Sequence, residues 1–341
     1  MTRILLTGGS GFIAAHVLEI LLQHGHSVVT TVHSEEKVRK IKDAYPDVPK
    51  DKLDFAIVDD IAKLDAFDKA VISDPPFEYV IHTASPFHYR VTDFRKELVD
   101  PAVNGIVGIL HAIKRSSPTV KRVVITSSFA AIIDLKKPPT YAFSEVDWNP
   151  VTYAEIYFSP SNAYRAGKTF AEKAAWDFME QEKPNFTLAT INPPAVLGPI
   201  IHGIYSLDKI NTSNERIRGL IIGAYKTSCP SSTEYLWVDV RDVALAHVLA
   251  AEKQKEAANQ RFFVTAGKFS NRQLAEIIYD EFPQFREKLP TGEEALKPGD
   301  FPPEGSYGFD NEKSKKVLGL QYYSLKESVI DAVKSLLKAN R

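Results

Sequence analysis

Cysteine is nearly missing from this chain: Cys229 stands alone among 341 residues. That excludes an intramolecular disulfide framework and fits a reducing compartment. An excess of one charge is missing too, since 42 Lys and Arg against 43 Asp and Glu leave a formal net charge of −1. Nothing in that balance draws the chain to nucleic acid or to an anionic membrane. Long apolar runs are absent: no stretch approaches the roughly 20 residues that span a bilayer. Met1-Thr2-Arg3 leads into Ile4-Leu5-Leu6, too short an apolar run for a signal peptide. Asn185-Phe186-Thr187 and Asn211-Thr212-Ser213 match the glycosylation pattern, but no other feature points to secretion. The prolines and glycines are dispersed, with no repeat or low-complexity segment. The expectation is a soluble, cytoplasmic protein with no nucleic-acid or membrane partner and no metal. It is long enough for one large α/β domain with a smaller lobe.

What is present is an alternation of short apolar runs and helical patterns. Ile4 to Thr7, Ser27 to Val32, Leu53 to Val58, Tyr79 to Thr83, Arg122 to Ser127 and Thr187 to Asn192 read as strands. They are rich in Val and Ile and do not alternate with polar residues, as expected of strands buried on both faces. Helical patterns such as Phe12 to His24 and Val99 to Lys114 lie between them. The order implies an α/β fold of the Rossmann type, a doubly wound parallel sheet with right-handed crossovers. Ser161 to Glu182 reads as one helix with an apolar stripe of Ala166, Phe170, Ala174 and Phe178. Past Asn192 the rhythm breaks at Pro193-Pro194. Tyr235 to Val238 and Asp242 to Glu252 form one more strand and helix, Pro290 to Gly308 a long loop, and Leu325 to Lys338 a final amphipathic helix. The expected division is a dinucleotide-binding domain of residues 1–192 plus about 220–258. A substrate lobe takes about 193–219 and 259–320, and residues 321–341 form the C-terminal helix.

Two signals about 150 residues apart in the chain meet in such a fold. Thr7-Gly8-Gly9-Ser10-Gly11-Phe12-Ile13-Ala14 follows directly on the first strand. A glycine turn lets the backbone approach a pyrophosphate, and the next helix offers its N-terminal amides and dipole. At the end of the second strand an NAD site carries an acid for the ribose 2′-hydroxyl. This chain reads Thr30-Thr31-Val32-His33-Ser34, with Glu35 already expected in the next helix and Lys37 one turn in. A neutral strand end with a nearby cation favours the 2′-phosphate of NADPH. The second signal is Tyr164 and Lys168 in Asn162-Ala163-Tyr164-Arg165-Ala166-Gly167-Lys168. Residues four apart share a helix face. A phenol, with its usual pKa near 10, serves as a proton donor near neutrality when a cation favours its ionised form. Thr126-Ser127-Ser128 closes the fifth strand and supplies a hydroxyl to polarise the same carbonyl oxygen; the residues alone leave Ser127 and Ser128 open.

Further motifs run through the chain: Lys63-Leu64-Asp65-Ala66-Phe67-Asp68, His82-Thr83-Ala84-Ser85-Pro86-Phe87, Pro101-Ala102-Val103-Asn104-Gly105, Phe170-Ala171-Glu172-Lys173-Ala174-Ala175-Trp176 and Val238-Asp239-Val240-Arg241-Asp242-Val243-Ala244. With the glycine turn, they make the chain resemble an extended short-chain dehydrogenase/reductase. Within that superfamily it is similar to the dihydroflavonol-reductase-like branch and its fungal carbonyl reductases of methylglyoxal and 3-methylbutanal. The resemblance implies a catalytic set of Ser128, Tyr164 and Lys168, with Asn104 holding a water in the proton relay. It implies dinucleotide contacts from Gly8, Gly9, Ser10, Gly11, Phe12, Ile13, Asp60, Ile61, Thr83, Ser85, Pro193, Val196 and Ser213, besides Tyr164 and Lys168. The fungal members carry arginine where this chain has His33 and retain the lysine as Lys37, and a neutral imidazole is the poorer phosphate ligand.

Phe87, Phe129, Ile133, Ala195 and Tyr205 fall in loops expected to wall the nicotinamide face, with no arginine clamp for a substrate anion. The implied activity is NADPH-dependent reduction of an aldehyde, ketone or α-dicarbonyl by a monomer or homodimer. Alternatives on the same scaffold are an NAD-dependent nucleotide-sugar epimerase or dehydratase, opposed by the neutral strand end, and a non-catalytic dinucleotide sensor, opposed by the tyrosine–lysine pair.

Overall fold

A computed structural model describes residues 2–85, 92–201, 203, 210–253 and 255–339. The first strands are β1 (Arg3–Thr7), β2 (Ser27–Val32), β3 (Leu53–Ile57) and β4 (Tyr79–His82), with helices α1 (Phe12–Gln23) and α2 (Glu35–Ala44) between them. α3 (Asp100–Ser116) leads to β5 (Arg122–Thr126), the two-residue strand β6 (Ala142–Phe143), the long helix α4 (Pro160–Glu182), β7 (Thr187–Asn192) and β8 (Ala195–Leu197). The remainder comprises α5 (Glu215–Ile222), β9 (Leu236–Asp239), α6 (Val240–Glu252), β10 (Gln260–Phe263), β11 (Gly267–Lys268), α7 (Asn271–Glu281), α8 (Glu293–Leu296), β12 (Gly308–Phe309) and α9 (Leu325–Lys338).

Seven strands form the main sheet in the order β10-β7-β5-β4-β1-β2-β3, and every pairing in it is parallel. Both faces are covered. Ile4 and Leu6 of β1 join the apolar core that includes α1 and α6, while Leu5 points into the core that includes α3 and α4. Continuous apolar strands are the sequence consequence of that double burial. The strand order reverses between β1 and β4, the place where sheets of this kind form a ligand crevice beyond the carboxyl ends of the strands. Thr7 and His82, paired across that junction, share a 2.8 Å hydrogen bond between Thr7 Oγ1 and His82 Nδ1. Two small sheets, β11-β9-β8 and β12-β6, lie apart from the main sheet.

Three readings change. Gln260–Phe263 falls in the segment expected for the lobe, yet β10 is the edge strand of the main sheet, parallel to β7. Its polar start, Gln260-Arg261, hides it from an apolar-run reading. The stretch 290–308 is not one loop, because Glu293–Leu296 closes a short helix and Gly308 pairs with Ala142. Finally, α4 buries Ala163, Ala166, Gly167, Ala171, Ala175 and Phe178, leaving Phe170 and Ala174 half-buried. The helix packs on α3 through its small residues, so the buried stripe is rotated from the one that its aromatic residues suggested. No helix among the described residues is long and apolar enough to cross a membrane.

Candidate active site

The glycine turn sits at the crevice. Gly8 has φ +74°, and a Cβ there would press on Ala84; a Cβ on Gly9 would overlap Thr30. The amides of Gly8 and Gly9 donate to Thr31 Oγ1 (3.1 Å) and Thr31 O (2.9 Å). These two glycines therefore build the turn. α1 begins at Phe12, with Gly11 as an N-cap that offers no side chain and with no acid in its first turn. The positive end of a helix with no acid beside it, reached by a glycine turn, fits a pyrophosphate. The Phe12 side chain is buried and meets His16 edge-on at 5.9 Å, and Ile13 is half-buried. At the end of β2, His33 is exposed and Lys37 half-buried, with Glu35 opening α2 as expected.

Thr83 Oγ1 donates to Thr7 O (2.6 Å), and Ala84 N to Thr7 Oγ1 (3.1 Å), tying β4 to β1 beneath the crevice. Asp60 is exposed at the end of β3 and accepts from Ala62 N at 3.0 Å; Ile61 is half-buried beside it. Asn104 is half-buried on α3 and lines neither of the two cavities described below. Pro193 is buried, its carbonyl accepting from Phe129 N at 2.9 Å. Val196 lies in β8, and Ser213 lines the larger cavity. Phe87 and Tyr205 lie outside the described residues.

α4 carries the tyrosine and the lysine. Ser159 caps it, accepting from Asn162 N at 3.1 Å, and Pro160 occupies its first turn. Tyr164, Lys168 and Glu172 then follow at intervals of four, along one face. Tyr164 lines a cavity of about 290 Å³ together with Ser128, Phe129, Ile133, Ala195 and Ser213. Lys168 turns into a smaller chamber, where its Nζ donates to Ser85 Oγ at 3.2 Å. Burial pushes the Lys168 ammonium down to about 8, opposed by the carboxylate of Glu172. His82, buried below it, is pushed down to about 3 by burial and by the lysine charge, so it is neutral.

The two serines divide. Ser127 Oγ donates to Glu172 Oε2 at 2.5 Å and is committed to that carboxylate. Ser128 has an extended backbone and faces the larger cavity, its Oγ accepting from Ala130 N at 3.1 Å.

Sequence reasoning passed over Glu172. It is buried and accepts from Ser127, from Thr190 Oγ1 (2.8 Å), from Asn192 Nδ2 (2.7 Å) and from Arg261 Nε (2.7 Å). Arg261 comes from β10 and lies 3.6 Å from the Trp148 ring centroid. The spacing of four from Lys168 was the available signal; the partners become neighbours only through the sheet. One expectation is also overturned. Arg165 and Arg216 both line the larger cavity, so its wall is not free of guanidinium groups. Phe129 and Ile133 do line it, and they also belong to an aromatic cluster in which Phe129 stacks on Phe263 at 5.1 Å.

A family model described as the NAD dependent epimerase/dehydratase family matches residues 4–266. The chain belongs to that family. Among curated relatives, Ketoreductase azaE of Aspergillus niger is 44% identical over 342 residues, covering 98% of each chain. The NADPH-dependent methylglyoxal reductase GRE2 of Saccharomyces cerevisiae is 37% identical over 343 residues, again covering 98% of each. Among solved structures, Gre2 of Candida albicans in complex with NADPH matches with a TM-score of 0.90 at 37% identity, over 100% of both chains.

Proposed function

We propose that this chain is an NADPH-dependent carbonyl reductase acting on aldehydes, ketones and α-dicarbonyls. The observation that carries the reading is Tyr164 and Ser128 lining one cavity, with Lys168 one turn from the tyrosine at the β1–β4 crevice. Whole-length likeness to a ketoreductase and to NADPH-dependent methylglyoxal reductases supports both reaction and cofactor. The acid-free first turn of α1, the tight glycine turn and the strand end without an acid fit NADPH. When bound, NADPH supplies the hydride.

Ser128 Oγ donates a hydrogen bond to the carbonyl oxygen, polarising it and fixing its position. Tyr164 gives its phenolic proton to that oxygen as negative charge develops there. Lys168 holds a positive charge near the phenol, favouring its ionised form and so the proton's departure. Its Ser85 contact keeps the ammonium facing the crevice. Phe129, Ile133 and Ala195 exclude water around the reacting carbon. Apart from Arg165, Arg216 and Glu234, the lining among the described residues is uncharged, which suits a compact carbonyl better than a nucleotide sugar.

Nicotinamide absorbance, followed with methylglyoxal and with a phenyl ketone, tests the reading. NADPH is expected to be oxidised faster than NADH, and Tyr164→Phe to lower kcat/KM by at least about 100-fold. Turnover of UDP-sugars in preference to these carbonyls, or a Tyr164→Phe variant as active as the native chain, would overturn it.

A further inference from the structure

The larger cavity is lined by two kinds of group. Ser128 and Tyr164 present hydroxyls among apolar side chains, while Arg165 and Arg216 enter it with, among the described residues, a single carboxylate, Glu234. Arg216 is held: its Nη2 donates to Glu234 Oε2 at 3.2 Å and its guanidinium lies 5.3 Å from the Phe269 ring. The arginine side chain is only 19% exposed, whereas that of Glu234 is 56% exposed, so the acid sits on the solvent side of the pair. Arg165 differs. It is half-buried, and its Nη1 donates at 3.0 Å to a neutral acceptor, Asn162 Oδ1. No carboxylate pairs with it among the described residues. Its charge is felt by the Tyr307 phenol, which faces the same cavity.

Among the described residues, two guanidinium groups against one carboxylate leave one positive charge without an opposite in a partly desolvated wall. Withdrawing a cation from water costs free energy unless an anion answers it. A guanidinium also offers paired N–H donors that match a carboxylate in the plane of both groups. The cavity volume of about 290 Å³ suits one compact molecule.

Resting on the carbonyl reductase reading above, we infer that Arg165, supported by Arg216, forms a carboxylate-binding subsite, and that the favoured substrates are oxo acids with an apolar body. The ketone or aldehyde oxygen lies at Ser128 and Tyr164, the body against Phe129 and Ile133, and the carboxylate at Arg165. The reaction balances as for any carbonyl: one hydride from NADPH to carbon and one proton from Tyr164 to oxygen give the hydroxy acid and NADP⁺. The carboxylate is unchanged. Tyr164 and Arg165 are consecutive on α4 and diverge by about 100° around the helix. The two recognised groups therefore sit several bonds apart in the substrate, rather than on adjacent carbons.

The test compares kcat/KM for benzoylpropionate and for its methyl ester, with methylglyoxal as the reference carbonyl. The acid is expected to exceed the ester by about 10-fold or more, the discrimination that a charge-assisted pair confers. That preference is expected to shrink as salt rises and to disappear in Arg165→Gln. Because the readout is the acid-to-ester ratio within one protein, a general loss of activity cancels. Arg216→Gln gives a second ratio should the first variant fail to fold, and it is expected to fall partway. An ester equal to or better than the acid in the native chain, or a ratio unmoved by Arg165→Gln, overturns the subsite while leaving the reductase intact. Absence of NADPH oxidation even with methylglyoxal instead removes the reductase reading and the subsite with it.

Discussion

At the residue scale, position 33 offers a test of the proposed cofactor contact. His33 is exposed at the end of β2, two residues from the start of α2, and Lys37 stands half-buried one turn further. No acid ends the strand, so a ribose 2′-hydroxyl lacks its usual acceptor there. An imidazole is mostly neutral at pH 7, whereas a guanidinium is always charged and forks onto phosphate oxygens. His33→Arg is therefore expected to tighten NADPH by about 10-fold or more and to leave NADH within about two-fold. Titration of nicotinamide fluorescence checks both numbers. An unchanged NADPH affinity would remove position 33 from the 2′-phosphate contact. The adjacent Lys37 was readable from the sequence as a cation in the first turn of a helix, because helix start and spacing are local properties.

At the element scale, α4 is the site's organiser. Its residues 164, 168 and 172 place a phenol, an ammonium and a carboxylate on successive turns, and the carboxylate is clasped by β10 through Arg261. Lys168, brought down to about 8 by burial, loses its charge as pH rises through that value. With a charged lysine required, kcat/KM is expected to fall on the alkaline side above about pH 8. Glu172 raises the lysine, so Glu172→Gln is expected to move that alkaline limb to lower pH. A merely structural carboxylate would lower activity at every pH without moving the limb, and the full pH–rate profile separates the two. Loss of the buried carboxylate opposite Arg261, whose side chain is 10% exposed, is also expected to cost stability, about 3–5 kcal/mol for breaking such a pair.

At the scale of the whole molecule, the C-terminal segment is secured to α6 by charged groups. Asp239 caps α6 and grips Arg241, which reaches Asp331 of α9 at 2.8 Å and stacks on Tyr323 at 3.7 Å. Asp242, buried in the first turn of α6, accepts from Tyr323 N at 3.1 Å. Burial raises its carboxyl from 3.8 to about 7. Between those values the folded chain holds a proton that the unfolded chain has released, so stability falls as pH rises from about 4 to about 7. Asp242→Asn keeps the acceptor for Tyr323 and removes the titration. The variant is expected to melt about 2–4 °C higher than the native chain at pH 8 and at the same temperature at pH 4. Calorimetric scans at the two pH values check it; an equal shift at both would assign the effect to packing instead.

Read along the chain, much of this protein was already legible. The six strands of the main sheet between Arg3 and Asn192, the glycine turn, the helix of Tyr164 and Lys168 and the terminal helix 325–338 follow from local patterns: apolar runs, a turn that needs φ > 0, spacings of four. Such patterns depend on near neighbours, which the sequence preserves. Tertiary structure decided what no local pattern carries. It set β10 beside β7 although Gln260-Arg261 opens it with polar residues, because Arg261 finds a buried carboxylate there. It gave Ser127 to Glu172 and left Ser128 to the cavity, where the sequence had two equivalent hydroxyls. It rotated the buried face of α4 onto α3, and it brought Arg165 and Arg216, from two different helices, to one cavity wall. Each of these depends on pairs of residues distant in the chain, and the free energy of such a pair exists only once the sheet has brought them together.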